Sequence, residues 1–349
     1  MGQHAPEPPR EFRYATSRDG TRVAWAEQGS GEAVVVAPPM FFLMTLNQGW
    51  IDAVQTIFDG RIIYYDRRGF GRSQHGVNHS VEHYADDLEA VIESAGVQSA
   101  RVCAFMGGSM DALTLARRSG HISRAFFDEP IFGGPVWRAR EGVRTMHAWL
   151  DIGFAHFCRE LAQFFFGLGT IVSTEIVEHL MDSTSPEDVY GLLTAVEAVD
   201  LRTVAPEISL NCLVLHNRGE TMAPASHAEE LAQLLPNSRL LVGSGSRFKW
   251  DAATIDSVRK FLAEGRNGQG HDLRSEGHIR ESRLVRKLLS PREAEILELV
   301  AGGVTNAEIA ETLTLSRATV ARHLANIYVK LGVRNRVEAT TWALDRASG

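Results

Sequence analysis

The chain has 349 residues, of which 44% are apolar and 23% charged, with a formal net charge of −7. That length exceeds one ordinary core and suits two or three units, and the composition is that of a globular protein. No apolar run approaches the ~20 residues of a membrane helix, and the opening MGQHAPEPPR lacks the apolar segment of a secretory signal and the hydroxyl residue of a myristoylation site, so the cytoplasm is the expected location and no membrane partner is implied.

In chain order, EFRYATS and TRVAWAEQ flank Asp19-Gly20, a hairpin turn. AVVVAPP reads as a buried strand, and RIIYYDRRGFGRS as a strand running into a glycine-rich loop. VEHYADDLEAVIESAG has helical periodicity and closes on glycine. RVCAF, RAFFDEP, CLVLHN and RLLVGSG are further buried strands. Continuous apolar strands alternating with helices predict an α/β fold with a parallel sheet covered on both faces. From about 137 to 201 the pattern turns helical and aromatic (TMHAWLDIGFAHFCRELAQFFFGLG), as an inserted cap would. Cys103, Cys158 and Cys212 are widely spaced in apolar contexts, which fits buried free thiols and neither a disulfide framework nor a zinc site. No motif calls for a metal or other cofactor.

Residues 1–265 therefore form the predicted body. Residues 266–284, rich in glycine and charge with little to bury, read as a flexible linker, and 285–349 as a separate domain. From Leu284 onward there are nine basic and seven acidic residues, net +2, against −9 before it, so an anionic partner is expected at the tail.

The tail is written in helix signals. Ser290-Pro291-Arg292-Glu293 is a capping box with proline at the first helical position. Thr305-Asn306-Ala307-Glu308 opens a second helix, Ser316 caps a third through about Leu331, and Val337 to Leu344 form a fourth. Two helices joined by a tight turn make an all-α helix-turn-helix unit. The third helix has an apolar inner face, Val320, Leu324, Ile327 and Leu331. Its outer face carries Arg317, Thr319, Arg322, His323, Asn326 and Lys330, side chains suited to phosphates and base edges in the major groove. Taken one at a time, these charges would suit an ordinary solvated face. With Thr305, Asn306 and Ser316 they make the predicted interface to double-stranded DNA.

Residues from about 10 to 265 resemble the α/β-hydrolase family, most specifically in YYDRRGFGRS, then in LVLHNRGETMAP with SHAEELAQLLPNSRLLV, and in GSRFKW. The tail closely resembles the LuxR-type (GerE-like) DNA-binding domain in LSPRE, VAGGVTNAEIA, LSRATVARHLANIYVKLGV and RVEA, with Ala321 where that family usually has lysine. The LuxR resemblance implies a homodimer through the fourth helix, which includes Trp342.

The hydrolase resemblance sets a question at AFMGGSMD, Ala104 to Asp111. A nucleophile elbow needs a strand, a sharp turn with small neighbours and a helix. Reading Ser109 as nucleophile puts Asp111 where a small residue belongs. Counting back from the helical ALTLARR puts Met106 at the nucleophile position, flanked by Ala104 and Gly108, and this register is preferred. The resemblance then places Glu220 at the acid position, Arg247 at the histidine position, and Pro38-Pro39 where the oxyanion loop has His-Gly. Asp128 is an alternative acid position. A thioether has no proton for a base to take, and arginine stays charged. A body without hydrolytic chemistry is expected, with a pocket for an apolar or aromatic small-molecule effector at Met40, Phe41, Met106, Gly107, Phe154, Phe157, Glu220 and Arg247. Individually such side chains are more often core than ligand contacts, so the expectation rests on Met40, Phe41 and Met106 together; an internal ion pair to Arg247 is the favoured reading of Glu220, and Arg247 suits that pair and a ligand contact equally. The rival expectation is an active esterase-like hydrolase with Ser109 as nucleophile, fused to the same DNA-binding tail.

Overall fold

A computed structural model describes residues 11–41, 43, 48–134, 141–166, 174–218, 225–244, 250–264, 291–301, 309–310, 312–313, 315–316, 319–320, 323–324 and 327. The chain divides into two compact units, Met1–Arg266 and Asn267–Gly349.

The larger unit is built on an eight-stranded sheet of order β1-β2-β4-β3-β5-β6-β7-β8. The strands are β1 Arg13–Thr16, β2 Arg22–Gln28, β3 Ala33–Ala37, β4 Arg61–Tyr65, β5 Ala100–Phe105, β6 Ile122–Asp128, β7 Asn211–Asn217 and β8 Ser238–Gly243. β1 and β2 form the expected hairpin, turning at Gly20 with φ +86°. β2 also runs antiparallel to β4, so the sheet is mixed at this edge and parallel from β4 onward.

Strand side chains alternate between two cores. Val35, Ala37, Val102, Ala104, Phe127 and Val214 pack with helices α2 (Val81–Ser94) and α3 (Gly108–Arg118) on one face. Val34, Val36, Cys103, Phe105, Phe126 and Leu215 pack with α1 (Gln48–Ile57) and with a helix spanning Ala252–Ala263 on the other. That two-sided burial explains why these strands read as unbroken apolar runs. All three cysteines are buried and free.

Among the described residues four helices lie between β6 and β7: α4 Glu141–Ile152, α5 Phe154–Phe166, α6 Thr174–Asp182 and α7 Pro186–Ala198. They form the cap. Its second half is sewn to the loop after β4. Gly71 N donates to Ser183 O at 2.7 Å and Thr184 Oγ1 to Gly69 O at 2.8 Å. His79 Nε2 lies 2.9 Å from Asp188 Oδ1. Gly69 sits at φ +75°, and a Cβ there would come within 2.7 Å of Asp188 Oδ1, so both conformation and space require glycine. Helix α8 (Ala225–Leu234) lies between β7 and β8 in sequence, and α9 is the Ala252–Ala263 helix.

In the smaller unit α10 spans Pro291–Ala301, with proline in its first position. A separate core gathers Ile296, Leu297, Val300, Ile309, Ala310, Val320, Leu324 and Ile327. Val320, Leu324 and Ile327 are three of the four residues expected on the inner face of the third helix. Leu331 lies outside the described residues.

Candidate functional site

The turn after β5 carries Met106 at its apex. Met106 directly follows the strand and takes φ +48°, a conformation that non-glycine residues rarely adopt. Helix α3 starts two residues later. A Cβ on Gly108 would come within 2.4 Å of Ala37 O, which is the close strand–helix approach an elbow needs at its small flank. The side chain at the strained apex is therefore the thioether of Met106.

Ser109 does a different job. Its side chain is wholly buried inside the first turn of α3. The hydroxyl lies 2.5 Å from Met106 O and 2.7 Å from Ile131 O, and it accepts from Ile131 N at 3.0 Å. Its single proton is held between two backbone carbonyls, and one lone pair takes the Ile131 N–H. Met106 N donates to Asp128 O at 3.0 Å and Ile131 N to Met106 O at 3.2 Å, so the turns after β5 and β6 brace each other.

The loop after β3 is pinned from below. Arg67 Nη2 donates to Pro38 O at 2.9 Å and pairs with Asp111 Oδ2 at 2.7 Å, and the guanidinium lies 4.4 Å from the centre of the Tyr84 ring. Burial pushes the Asp111 carboxyl up to about 6, although Arg67 pulls it down. Burial also disfavours the charged guanidinium, but Asp111 together with Tyr65 and Tyr84 outweighs it and raises the Arg67 pKa.

An apolar cavity of about 10 Å³, near the size of one water, lies where this loop meets the cap. Its walls include Phe41, Phe70, Phe157, Leu161 and Val189. Phe41 meets Phe70 and Phe157 edge-on, at 6.4 and 5.8 Å between centroids, and Phe154 stacks on Phe157. Of the residues expected to hold a ligand, Phe41 and Phe157 line this cavity. Met40, Met106, Gly107 and Phe154 do not. Met40 fills the space over Gly107, where a Cβ would come within 2.5 Å of its Cγ. Glu220 and Arg247 lie outside the described residues.

At the ends of β6 and β7, Asp128 accepts from Trp250 Nε1 at 3.1 Å and from Asn217 Nδ2 at 3.3 Å. The alternative acid position is thus occupied by neutral donors. Beside it is a pair that sequence reasoning did not find. Glu129, at φ +50°, places Oε2 3.0 Å from His216 Nδ1 and accepts the backbone N–H of Asn217 through Oε1. No local pattern marks Glu129 and His216 as partners, because 87 residues separate them. Elsewhere Glu89, Glu93 and His121 lie close enough to share a cation, but Arg18 and Arg118 already contact Glu89 at 2.8 and 3.2 Å, so the cluster is an ion-pair network.

In the tail, Ser316 Oγ accepts from Thr319 N at 3.0 Å and lies 2.8 Å from Thr319 Oγ1. It is an N-cap, as its position predicts. Thr319 and His323 are half-buried. Thr305, Asn306, Arg317, Arg322, Asn326 and Lys330, with the fourth helix and Trp342, lie outside the described residues. No helix among the described residues is long and apolar enough to cross a membrane.

Residues 287–343 match the family of bacterial regulatory proteins described as the luxR family. The CsgBAC operon transcriptional regulatory protein of Escherichia coli strain K12 is 42% identical over 69 residues, which are 20% of this chain and 32% of that protein. The chain thus spans about a third of that regulator's length. A bifunctional esterase/perhydrolase of Acinetobacter calcoaceticus is 37% identical over 278 residues, covering 71% of this chain and 97% of the relative. Among solved structures, a hydrolase from Pseudomonas aeruginosa PA01 superposes with a TM-score of 0.59 at 19% identity, over 74% of this chain and all of that one. The enol-lactonase from Burkholderia xenovorans LB400 gives 0.56 at 20% identity, over 72% of this chain and all of that one.

Proposed function

The chain belongs to the α/β-hydrolase family over its larger unit and carries a luxR-type helix-turn-helix regulatory domain in its smaller one, and on that premise we propose that it is a one-component transcription regulator whose body senses a small molecule without hydrolysing it. The carrying observation is Met106 at the strained apex of the elbow. A thioether offers no proton to a general base and forms no acyl intermediate. Arg247, at the histidine position, stays protonated and cannot serve as that base, and Glu220 would hold it by a charge-assisted bond. The effector site is assigned to the apolar cavity walled by Phe41 and Phe157, which at about 10 Å³ has to widen to admit an apolar or aromatic ligand. The tail binds double-stranded DNA through Arg317, Arg322, Asn326 and Lys330, as a homodimer on a two-fold site.

One observation favours a second reading, an esterase-like activity: the 37% identity with the esterase/perhydrolase. It would require a nucleophile other than the residue at the elbow apex, and Ser109 has its hydroxyl committed to Met106 and Ile131.

The regulatory reading is tested by selecting bound fragments from genomic DNA with the whole chain, then repeating the selection with Arg322→Ala. Discrete, two-fold-symmetric sites lost in the variant are expected. Enrichment of no sequence at all, or sites unchanged by Arg322→Ala and Asn326→Ala together, would contradict it.

A further inference from the structure

We propose that α5 is the door of the apolar cavity: it swings outward about Gly153 to admit the effector, while α7 stays fixed to the body. The inference rests on the reading of that cavity as the effector site and names how a space of about 10 Å³ is widened.

The two sides of the cavity are held differently. Thr184 and Val189 wall it on the α7 side. Besides the Gly71–Ser183 and Thr184–Gly69 bonds, Gly76 N donates to Asp188 Oδ2 at 3.1 Å, and a Cβ on Gly191 would come within 2.4 Å of His79 Cδ2. Asp188 has 1% of its side chain exposed. Lifting α7 would strip that buried carboxylate of its His79 and Gly76 partners, which is costly. Helix α4 goes with α7, because His147 Nε2 lies 2.7 Å from Glu197 Oε1 and Tyr190 OH donates to Asp151 Oδ1 at 3.1 Å.

Phe157, Cys158 and Leu161, all buried, wall the cavity from α5. Among the described residues, no side chain of α5 makes a hydrogen bond or ion pair outside its helix; His156 and Glu160, 4.0 Å apart, both lie on it. Its hold on the body is apolar packing, such as Phe157 edge-on to Phe41. Such contacts are weak one by one and have no direction, so α5 can part from the body without stranding a polar group. Gly153 supplies the pivot. Gly153 N donates to Trp149 O at 3.2 Å and Phe157 N to Gly153 O at 2.9 Å. Both helices are thus hydrogen-bonded up to the glycine, and a bend falls on its own dihedrals. Its φ is +151° and a Cβ there would meet nothing within 4 Å, so backbone conformation, not space, requires glycine.

Cys158 reports the movement. Burial pushes its thiol up to about 11 and raises those of Cys103 and Cys212 as well, so alkylation of each waits on opening. The whole chain is treated with N-ethylmaleimide under native conditions, and each cysteine peptide is followed by mass analysis. Cys158 should react at least about 100-fold faster than Cys103 and Cys212, whose exposure requires the sheet to open. Gly153→Ala strains the closed conformation and should speed Cys158 at least about fivefold. It should tighten the binding of toluene, measured by calorimetry, by a similar factor. A thiol placed on α7 by Val196→Cys, at a buried position, should stay as slow as Cys103. One common rate for the three native cysteines, or an α7 thiol as fast as Cys158, would overturn the proposal and leave the ligand-binding reading standing. Fast labelling of Cys158 with toluene bound by neither protein would overturn the reading of the cavity as the effector site, and with it this route into the cavity.

Discussion

Arg67 and Asp111 form an ion pair at 2.7 Å with 2% and 1% of their side chains exposed. It joins the loop after β4 to the helix of the elbow, and through Pro38 O to the loop after β3. Removing one partner strands the other charge, so Asp111→Ala should cost about 3–5 kcal/mol. The double replacement Arg67→Met with Asp111→Leu should cost far less. Urea unfolding of the three proteins decides it; an Asp111→Ala loss no larger than that of the double variant would remove the pair from the account.

Ser109 is structural in this account. Ser109→Ala leaves Ile131 N with only its longer bond to Met106 O and takes a donor from Met106 O and Ile131 O, and should cost about 1–3 kcal/mol. Turnover of an activated ester should stay at the buffer rate in both wild type and variant. Hydrolysis by the wild-type chain that disappears in Ser109→Ala would make Ser109 a nucleophile after all.

Asp251 caps α9, accepting from Thr254 N at 2.8 Å and from the Ser244 hydroxyl at 2.7 Å. Those bonds, the Thr254 N–H foremost, lower its carboxyl to about 2. The folded value lies below the unfolded one, so the cap's contribution is complete above about pH 4 and fades as pH falls toward 2. Asp251→Ala should cost about 0.5–2 kcal/mol near neutral pH, and the gap to wild type should close on acidification. A gap constant from pH 7 to pH 2 would show that the carboxylate charge is not what stabilises the cap.

Ser316→Ala removes the cap of the recognition helix and should cost the smaller unit about 1 kcal/mol. Hydrogen exchange at the amides of Thr319 and Val320 should speed up accordingly, while amides of β5 and β6 keep their protection. Unchanged exchange at Thr319 would contradict the capping role.

The hairpin at Gly20, the buried strands and three of the four inner-face residues of the helix that Ser316 caps were legible in the sequence. Each is written locally, in turn residues, apolar periodicity or helix caps. Met106 at φ +48° and Gly108 against Ala37 O give the sharp turn and the small flank that the ALTLARR register expects. What was not legible depends on pairing across the fold. Asp111 enters the sequence reading only as an obstacle to the Ser109 register; its partner Arg67 lies 44 residues away. The Glu129–His216 pair spans a still longer separation. The cavity described lies between Phe41, Phe70 and Phe157, and Met40 packs over Gly107; no periodicity reveals either contact.

The central claim, that the elbow carries no nucleophile, is tested most directly by stopped-flow mixing of the whole chain with 4-nitrophenyl acetate under single-turnover conditions, followed by mass analysis of the peptide containing Ala104 to Asp111. The account predicts nitrophenol release no faster than in buffer and an unmodified peptide. A burst of release with an acetyl group on that peptide would contradict it.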